Sequence, residues 1–212
     1  MIQVLIVDDH ELVRAGLRRI LEDSPNIGQL YETSTGEQAI ELCRRHQPDI
    51  VLLDINLPGL SGFEITHRLH RASPASRVVV LAQHAKSPFP TRILDAGASA
   101  YLTRDCDAAE LLEAIDTVVQ GGRYIGAEAA KQLALSLLPG TADSPFDELS
   151  AREMEVMLKL TEGNRVPDIA SMMCLSPKTI ATYKYRIYDK LGTRSEVDLV
   201  RMAMRYGILE AT

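Results

Sequence analysis

The sequence predicts an α/β domain built on a parallel sheet with helices on both faces, followed by a small all-α domain of four helices. Three observations carry this prediction. Short β-branched apolar runs alternate with helical segments five times in the first 120 residues, a Pro, Gly, Ser and Asp-rich stretch follows at 139–145, and closely spaced helix-start signals fill the remainder.

The apolar runs fall at 4–7, 30–32, 50–53, 78–81 and 100–102, too short for helices and rich in Val, Ile and Leu. Between them, 11–22, 36–46, 62–72, 89–96 and 107–119 show helical periodicity. Strands that alternate with helices form a parallel sheet, and ligands then bind at the carboxyl ends of the strands. After Gly121-Gly122, 128–138 is helix-compatible and leads into the linker PGTADSP. A second domain begins near Asp147. Ser150-x-x-Glu153 has capping-box spacing, Pro167 opens a short helix to Cys174, Ser176-Pro177 opens another to Leu191, and Ser195-x-x-Asp198 opens a last one to Arg205. The expected division is 1–122, then a helical segment and linker at 123–146, then 147–212.

At 212 residues and 46% apolar, the chain can bury a core in each part, which excludes wholesale disorder. The N-terminal MIQVLIVDDHE reaches acids by position 8, and no apolar stretch approaches about 18 residues, so neither secretion nor membrane spanning is expected. Cys43, Cys106 and Cys174 are widely spaced and odd in number, which reads as free thiols in a reducing cytoplasm. The net charge of −6 is unevenly spread: residues 1–145 hold 13 basic and 19 acidic side chains, residues 146–212 hold 10 of each. Between Ser176 and Arg194, Lys178, Lys184, Arg186, Lys190 and Arg194 face only Asp189.

Asp8-Asp9 follow the first strand and Asp54 the third. An anion-binding turn needs glycines there, and two carboxylates repel anions. If the two strands are neighbours, three carboxylates meet, and a hard divalent cation, best Mg²⁺, relieves their repulsion. The plainer alternative is three solvated loop acids.

The Asp-Asp pair, the string Asp54-Ile-Asn-Leu-Pro58-Gly59-x-x-Gly62 and AGASAYLTR at 96–104 together resemble the receiver domain of bacterial two-component response regulators. The resemblance covers residues 1 to about 122 and implies a flavodoxin-like (βα)5 fold, with Asp54 as the nucleophile that takes a phosphoryl group from a histidine kinase or phosphotransfer protein. It implies that Asp9, Asp54 and the carbonyl of Asn56 hold Mg²⁺, with Asp8 assisting through water. Two positions depart from the family pattern: Ala82 stands where a Thr or Ser hydroxyl is usual, and Arg104 where a Lys is usual. In the pattern the hydroxyl draws an aromatic, here Tyr101, into the active arrangement, so coupling of phosphorylation to a switch is in question. Arg is also a bulkier, planar cation. Gln83 and Thr103 adjoin these positions, and His84 lies two residues past Ala82.

LSPKTIATYKYRIYDKLGTRSE, at 175–196, has helix-turn-helix spacing after the preceding short helix. On a helix from Pro177, Ile180, Tyr183, Ile187 and Leu191 form a buried stripe, and Lys178, Ala181, Thr182 and Tyr185 lie opposite, with Arg186 and Asp189 to one side. Small and polar residues with two cations suit a DNA major groove. L-S-x-R-E-x-E-V, L-S-x-x-T and I-x-x-K-L, within 149–200, resemble the LuxR-type DNA-binding domain. The resemblance implies base-facing Ala181, Thr182 and Tyr185, phosphate contacts from Lys178, Thr179, Lys184, Arg186 and Lys190, and dimerisation through the last helix. Val166-Pro167 departs from the usual Asn-Lys.

Receivers joined to LuxR-type domains form the NarL/FixJ family, and VDDHELVRAGLRRILEDS, SPF-x-x-LS and LSPKTIATYKYRIYDKL are similar to its GacA/UvrY/SirA global-regulator group. That group implies a membrane hybrid sensor kinase and promoters of small regulatory RNAs as targets. The expected protein is a homodimeric, cytoplasmic, DNA-binding transcriptional regulator controlled by phosphorylation at Asp54, and not an enzyme. Two alternatives stand: a phosphorylation-independent regulator, because of Ala82 and Arg104, and more remotely an aspartyl-phosphate hydrolase, against which Asn56 occupies the usual acid position. His67 and His70 have metal-pair spacing but no third ligand.

Overall fold

Strands β1 (Ile2–Val7), β2 (Ile27–Thr33), β3 (Ile50–Asp54), β4 (Arg77–Ala82), β5 (Ala100–Thr103) and β6 (Tyr124–Ile125) form one parallel sheet in the order β2-β1-β3-β4-β5-β6. In this computed structural model, residues 1–57, 60, 62–82, 89–136, 144–206 and 208–209 are described. Pro58 and Gly59 of the Asp54 string, Gln83, His84 and linker positions 139–143 lie outside them. Two units divide the chain, one running to Leu133 and the other from Ala134.

In the first unit the strands are joined by helices α1 (Glu11–Glu22), α2 (Gly36–His46), α3 (Gly62–Ala72), α4 (Phe89–Asp95) and α5 (Ala108–Val119), with α6 (Ala127–Ser136) following β6. Central parallel strands covered on both faces are buried on both, and β3 is buried along its whole length. On one face Val4, Ile6, Leu52, Val79, Leu81 and Leu102 cluster with Leu21 of α1 and with Leu111, Ala114, Ile115 and Val118 of α5. Side-chain caps start two of these helices: Thr35 caps α2 through the Gln38 N–H, and Asp107 caps α5 through that of Glu110.

The sheet continues past residue 122, where the first domain was expected to end. Tyr124 pairs with Ala100 and Ile125 with Tyr101. The Tyr124 hydroxyl donates to Glu113 at 3.0 Å, and the Ala127 N–H to Glu110 Oε1 at 2.7 Å, so β6 and the start of α6 are tied to α5. A two-residue strand is too short to leave a periodic signal in a sequence.

The second unit holds a 3₁₀ turn (Pro145–Glu148) and helices α7 (Ala151–Thr161), α8 (Val166–Met172), α9 (Pro177–Leu191) and α10 (Glu196–Arg205). Phe146, Met154, Met157, Ile169, Ile180, Ile187 and Leu199 are buried in its core. Ser150 and Glu153 form the expected reciprocal capping box, and Ser176 and Ser195 cap α9 and α10. The α8 helix ends before Cys174, which the sequence analysis included: Cys174 has φ of +53°, a left-handed conformation that makes the turn into α9. Among the described residues, no helix is long and apolar enough to cross a membrane.

Candidate functional site

The register of β1 and β3 brings the acids together. Val7 pairs with Leu53, so Asp8 and Asp54 leave adjacent strands at the same end of the sheet. Both are buried, Asp9 is exposed, and carboxylate oxygens of all three lie within 4.8 Å of one another and of a ring nitrogen of His10. Buried carboxylates this close require a cation, protonation or several donors.

The structure supplies one cation from β5. The Arg104 N–H donates to the Ala82 carbonyl at 2.9 Å, which sets the residue at the strand end. Its Nη2 then lies 2.5 Å from Asp54 Oδ2 and 3.0 Å from Asp8 Oδ2. The contact to Asp54 is an ion pair and not an aligned hydrogen bond: among the described residues, neither Asp54 Oδ2 nor Arg104 Nε, both buried, has a hydrogen-bond partner. Asp54 Oδ1 accepts the Asn56 N–H at 3.1 Å. Burial pushes the Asp54 carboxyl above its usual range, with the Asp8 charge adding to the rise; the Asn56 N–H and Arg104 oppose it.

His10, which the sequence analysis did not single out, belongs to this cluster. Its Nδ1 is 2.8 Å from Asp9 Oδ1 and 3.2 Å from Asp8 Oδ1, and its main-chain N–H donates to Asp8 Oδ1 at 2.8 Å. Its place directly after the Asp pair was the available signal. Asp8, Asp9 and Asp54 form an all-oxygen set, and Asp54 retains an oxygen with no aligned donor, so the residues fit a hard divalent cation such as Mg²⁺. His67 and His70 are exposed on α3 and join no such cluster among the described residues.

Ala82 ends β4 buried and without a hydroxyl, and Tyr101 is fully buried on β5. Cys43 and Cys106 are free, and burial pushes their thiols up to about 12 and about 11, so both stay protonated at neutral pH.

In the second unit, α9 buries Ile180, Ile187 and Leu191, with Tyr183 half-buried. Lys178, Ala181, Thr182, Tyr185 and Arg186 are exposed, Tyr185 at 73%, and Thr179 is half-buried. A groove of about 310 Å³ is lined by Ser176, Lys178, Thr179, Thr182, Tyr183 and Arg186. The remaining two cations of the expected phosphate-contact set are engaged within the domain. Lys184 Nζ lies 2.6 Å from Glu196 Oε1 of α10. Lys190 Nζ donates to Glu153 Oε2 at 2.7 Å and to the Glu148 carbonyl at 3.0 Å. Burial pushes the Glu153 carboxyl up, but Lys190 and the Ser150 N–H and hydroxyl outweigh it and hold the group below its usual range.

Residues 4–116 match the response regulator receiver domain, and residues 147–203 match the bacterial regulatory proteins of the luxR family. The chain belongs to the two-component response regulators. It is 42% identical to response regulator UvrY of Escherichia coli over 212 residues, all of this chain and 97% of that protein. It is 43% identical to response regulator GacA of Pseudomonas aeruginosa over 212 residues, all of this chain and 99% of that one. Among solved structures it resembles a LuxR-family response regulator from Aurantimonas, with 34% identity and a TM-score of 0.62 over 64% of this chain and 97% of that one. RcsB of Salmonella enterica bound to promoter rprA shares the fold, with a TM-score of 0.75 at 22% identity, covering 95% of this chain and 97% of that one. This response regulator is thus a DNA-binding transcriptional regulator with a receiver and a LuxR-type domain.

Proposed function

We propose that the receiver accepts a phosphoryl group on Asp54 and that this controls dimerisation and promoter binding through α9. The observation that carries the reading is the buried Asp54 carboxylate, with one oxygen fixed by the Asn56 N–H and the other free of an aligned donor. An Asp54 oxygen attacks phosphorus of a phosphohistidine or a small acyl phosphate, the bond from phosphorus to the donor breaks, and the donor leaves with that electron pair. Asp9, Asp54 and the Asn56 carbonyl would hold Mg²⁺, with Asp8 assisting; the ion supplies charge neutralisation at the transferring oxygens. Arg104, already beside Asp54, offsets charge on the product. The phosphoryl source is a sensor histidine kinase or phosphotransfer protein in the cytoplasm.

On the DNA side, Ala181, Thr182 and Tyr185 face bases, while Lys178, Thr179 and Arg186 meet phosphates across the groove they line. Lys184 and Lys190 first hold the domain together through Glu196 and Glu153. The partner is double-stranded promoter DNA, bound by a homodimer.

A second reading is favoured by Ala82: no hydroxyl stands there to meet a phosphoryl group, and Tyr101 is fully buried on the neighbouring strand. Phosphorylation would then leave DNA binding unchanged. The test is duplex affinity and light-scattering mass of the full chain with and without Mg²⁺ and acetyl phosphate. Dimerisation with tighter binding, lost in Asp54→Asn, supports the first reading. Affinity independent of phosphodonor and of Asp54→Asn supports the second.

A further inference from the structure

The turn that carries Asp8 and Asp9 is braced from outside the pocket. We propose that Arg14 is a positioning residue for the cation site, fixing the main chain of Asp8 so that the acidic side chains converge; this rests on the phosphoryl-acceptor reading above. Asp8 sits between the last residue of β1 and the first of α1, and the α1 cap residue, His10, makes no side-chain capping bond. Arg14 Nη1 reaches back from α1 and donates to the Asp8 carbonyl at 2.7 Å. On its other side, the Asp8 N–H donates to the Thr33 carbonyl at 3.2 Å.

The two braces share one origin. Arg14 is mostly buried, with Nε 3.7 Å from Glu32 Oε2, and Glu32 directly precedes Thr33 on β2. Glu32 is paired in turn with Arg18, which also pairs with Glu22 at 3.3 Å. The end of β2 therefore holds the Asp8 N–H directly and its carbonyl through Arg14. With both main-chain atoms fixed, Asp8 Oδ1 meets His10 and Oδ2 meets Arg104. Residues that orient ligands from behind typically change metal affinity without touching the metal.

Charge alone predicts the opposite sign. Arg14 adds a positive charge near a site that takes a cation, so its loss would tighten Mg²⁺ binding if electrostatics dominated. Positioning predicts weaker binding.

The test is calorimetric Mg²⁺ titration of the full-length wild type, Arg14→Ala, Arg14→Lys and Glu32→Gln, with metal-free melting temperatures and the metal-free NMR amide resonance of His10. Arg14→Ala is expected to weaken Mg²⁺ binding by about 10- to 100-fold. Arg14→Lys recovers part of this, because an ammonium still donates to the carbonyl but loses the planar fork toward Glu32. Glu32→Gln gives a smaller loss, and the His10 amide shifts in Arg14→Ala without metal. If Arg14→Ala fails to fold, Arg14→Lys and Glu32→Gln carry the measurement. Unchanged or tighter Mg²⁺ binding in the variants, beside normal wild-type binding, overturns the role of Arg14 alone. A wild type that takes up no Mg²⁺ overturns the acceptor reading and this inference together.

Discussion

At the residue scale, Asp54 combines burial, a like charge from Asp8 and, among the described residues, one compensating cation, Arg104. Because its carboxyl is held above the usual range, the folded state favours the protonated form, and ionisation costs stability as pH rises past about 4. Asp54→Asn should therefore melt higher than the wild type at neutral pH without Mg²⁺, by about 1 kcal/mol or a few degrees. The gap should shrink as pH falls through the raised folded value toward about 4 and be gone below it, and paired melts across pH check it. Arg104→Ala has the opposite effect, since it leaves Asp8 and Asp54 buried side by side without their cation. Metal-free stability should fall by about 3 kcal/mol, and saturating Mg²⁺ should raise the melting temperature more than it does in the wild type.

At the scale of elements, the cations of α9 divide into two groups that sequence patterning cannot separate. Lys190 and Arg186 both lie on a basic amphipathic helix, but only the folded domain shows that Lys190 neutralises a carboxylate on α7 that is 4% exposed. Because Glu153 is held below its usual range, the pair contributes stability above about pH 4.5, and the contribution is lost as pH falls through the lower folded value. Lys190→Met should destabilise the second unit by about 2 kcal/mol in urea at pH 7, an effect that diminishes as pH falls below about 4.5 and vanishes once Glu153 is protonated in the folded state. Arg186→Ala should leave stability within about 0.5 kcal/mol. In anisotropy titrations it should reduce the salt slope of duplex binding by about 1.

The helices themselves were legible because their signals are local: Ser150 with Glu153, Ser176 before Pro177, Ser195 with Asp198, and apolar periodicity in the first domain. The acid pocket was legible on one condition, that β1 and β3 are neighbours, and the strand order meets it, so Asp8, Asp9 and Asp54 converge. What stayed hidden depends on side-chain reach across the fold. Arg104 joining Asp8, Arg14 bracing the Asp8 carbonyl and Lys184 meeting Glu196 leave no periodic trace.

At the scale of the whole molecule, the receiver extends beyond its five repeats. β6 covers the outer edge of β5, and Ala129 of α6 is fully buried, so a receiver cut after Gly122 exposes a strand edge and apolar surface. A fragment ending at residue 122 should melt lower and aggregate more than one ending at residue 136, as paired melts and light scattering would register.

The central claim is that Asp54 accepts a phosphoryl group although Ala82 and Arg104 replace the usual partners. It is tested most directly by the intact mass of the full chain after incubation with Mg²⁺ and acetyl phosphate, beside Asp54→Asn. The account predicts an adduct of about 80 Da on the wild type and none on the variant. An unmodified wild type that nonetheless binds Mg²⁺, or an adduct that persists in Asp54→Asn, would contradict it.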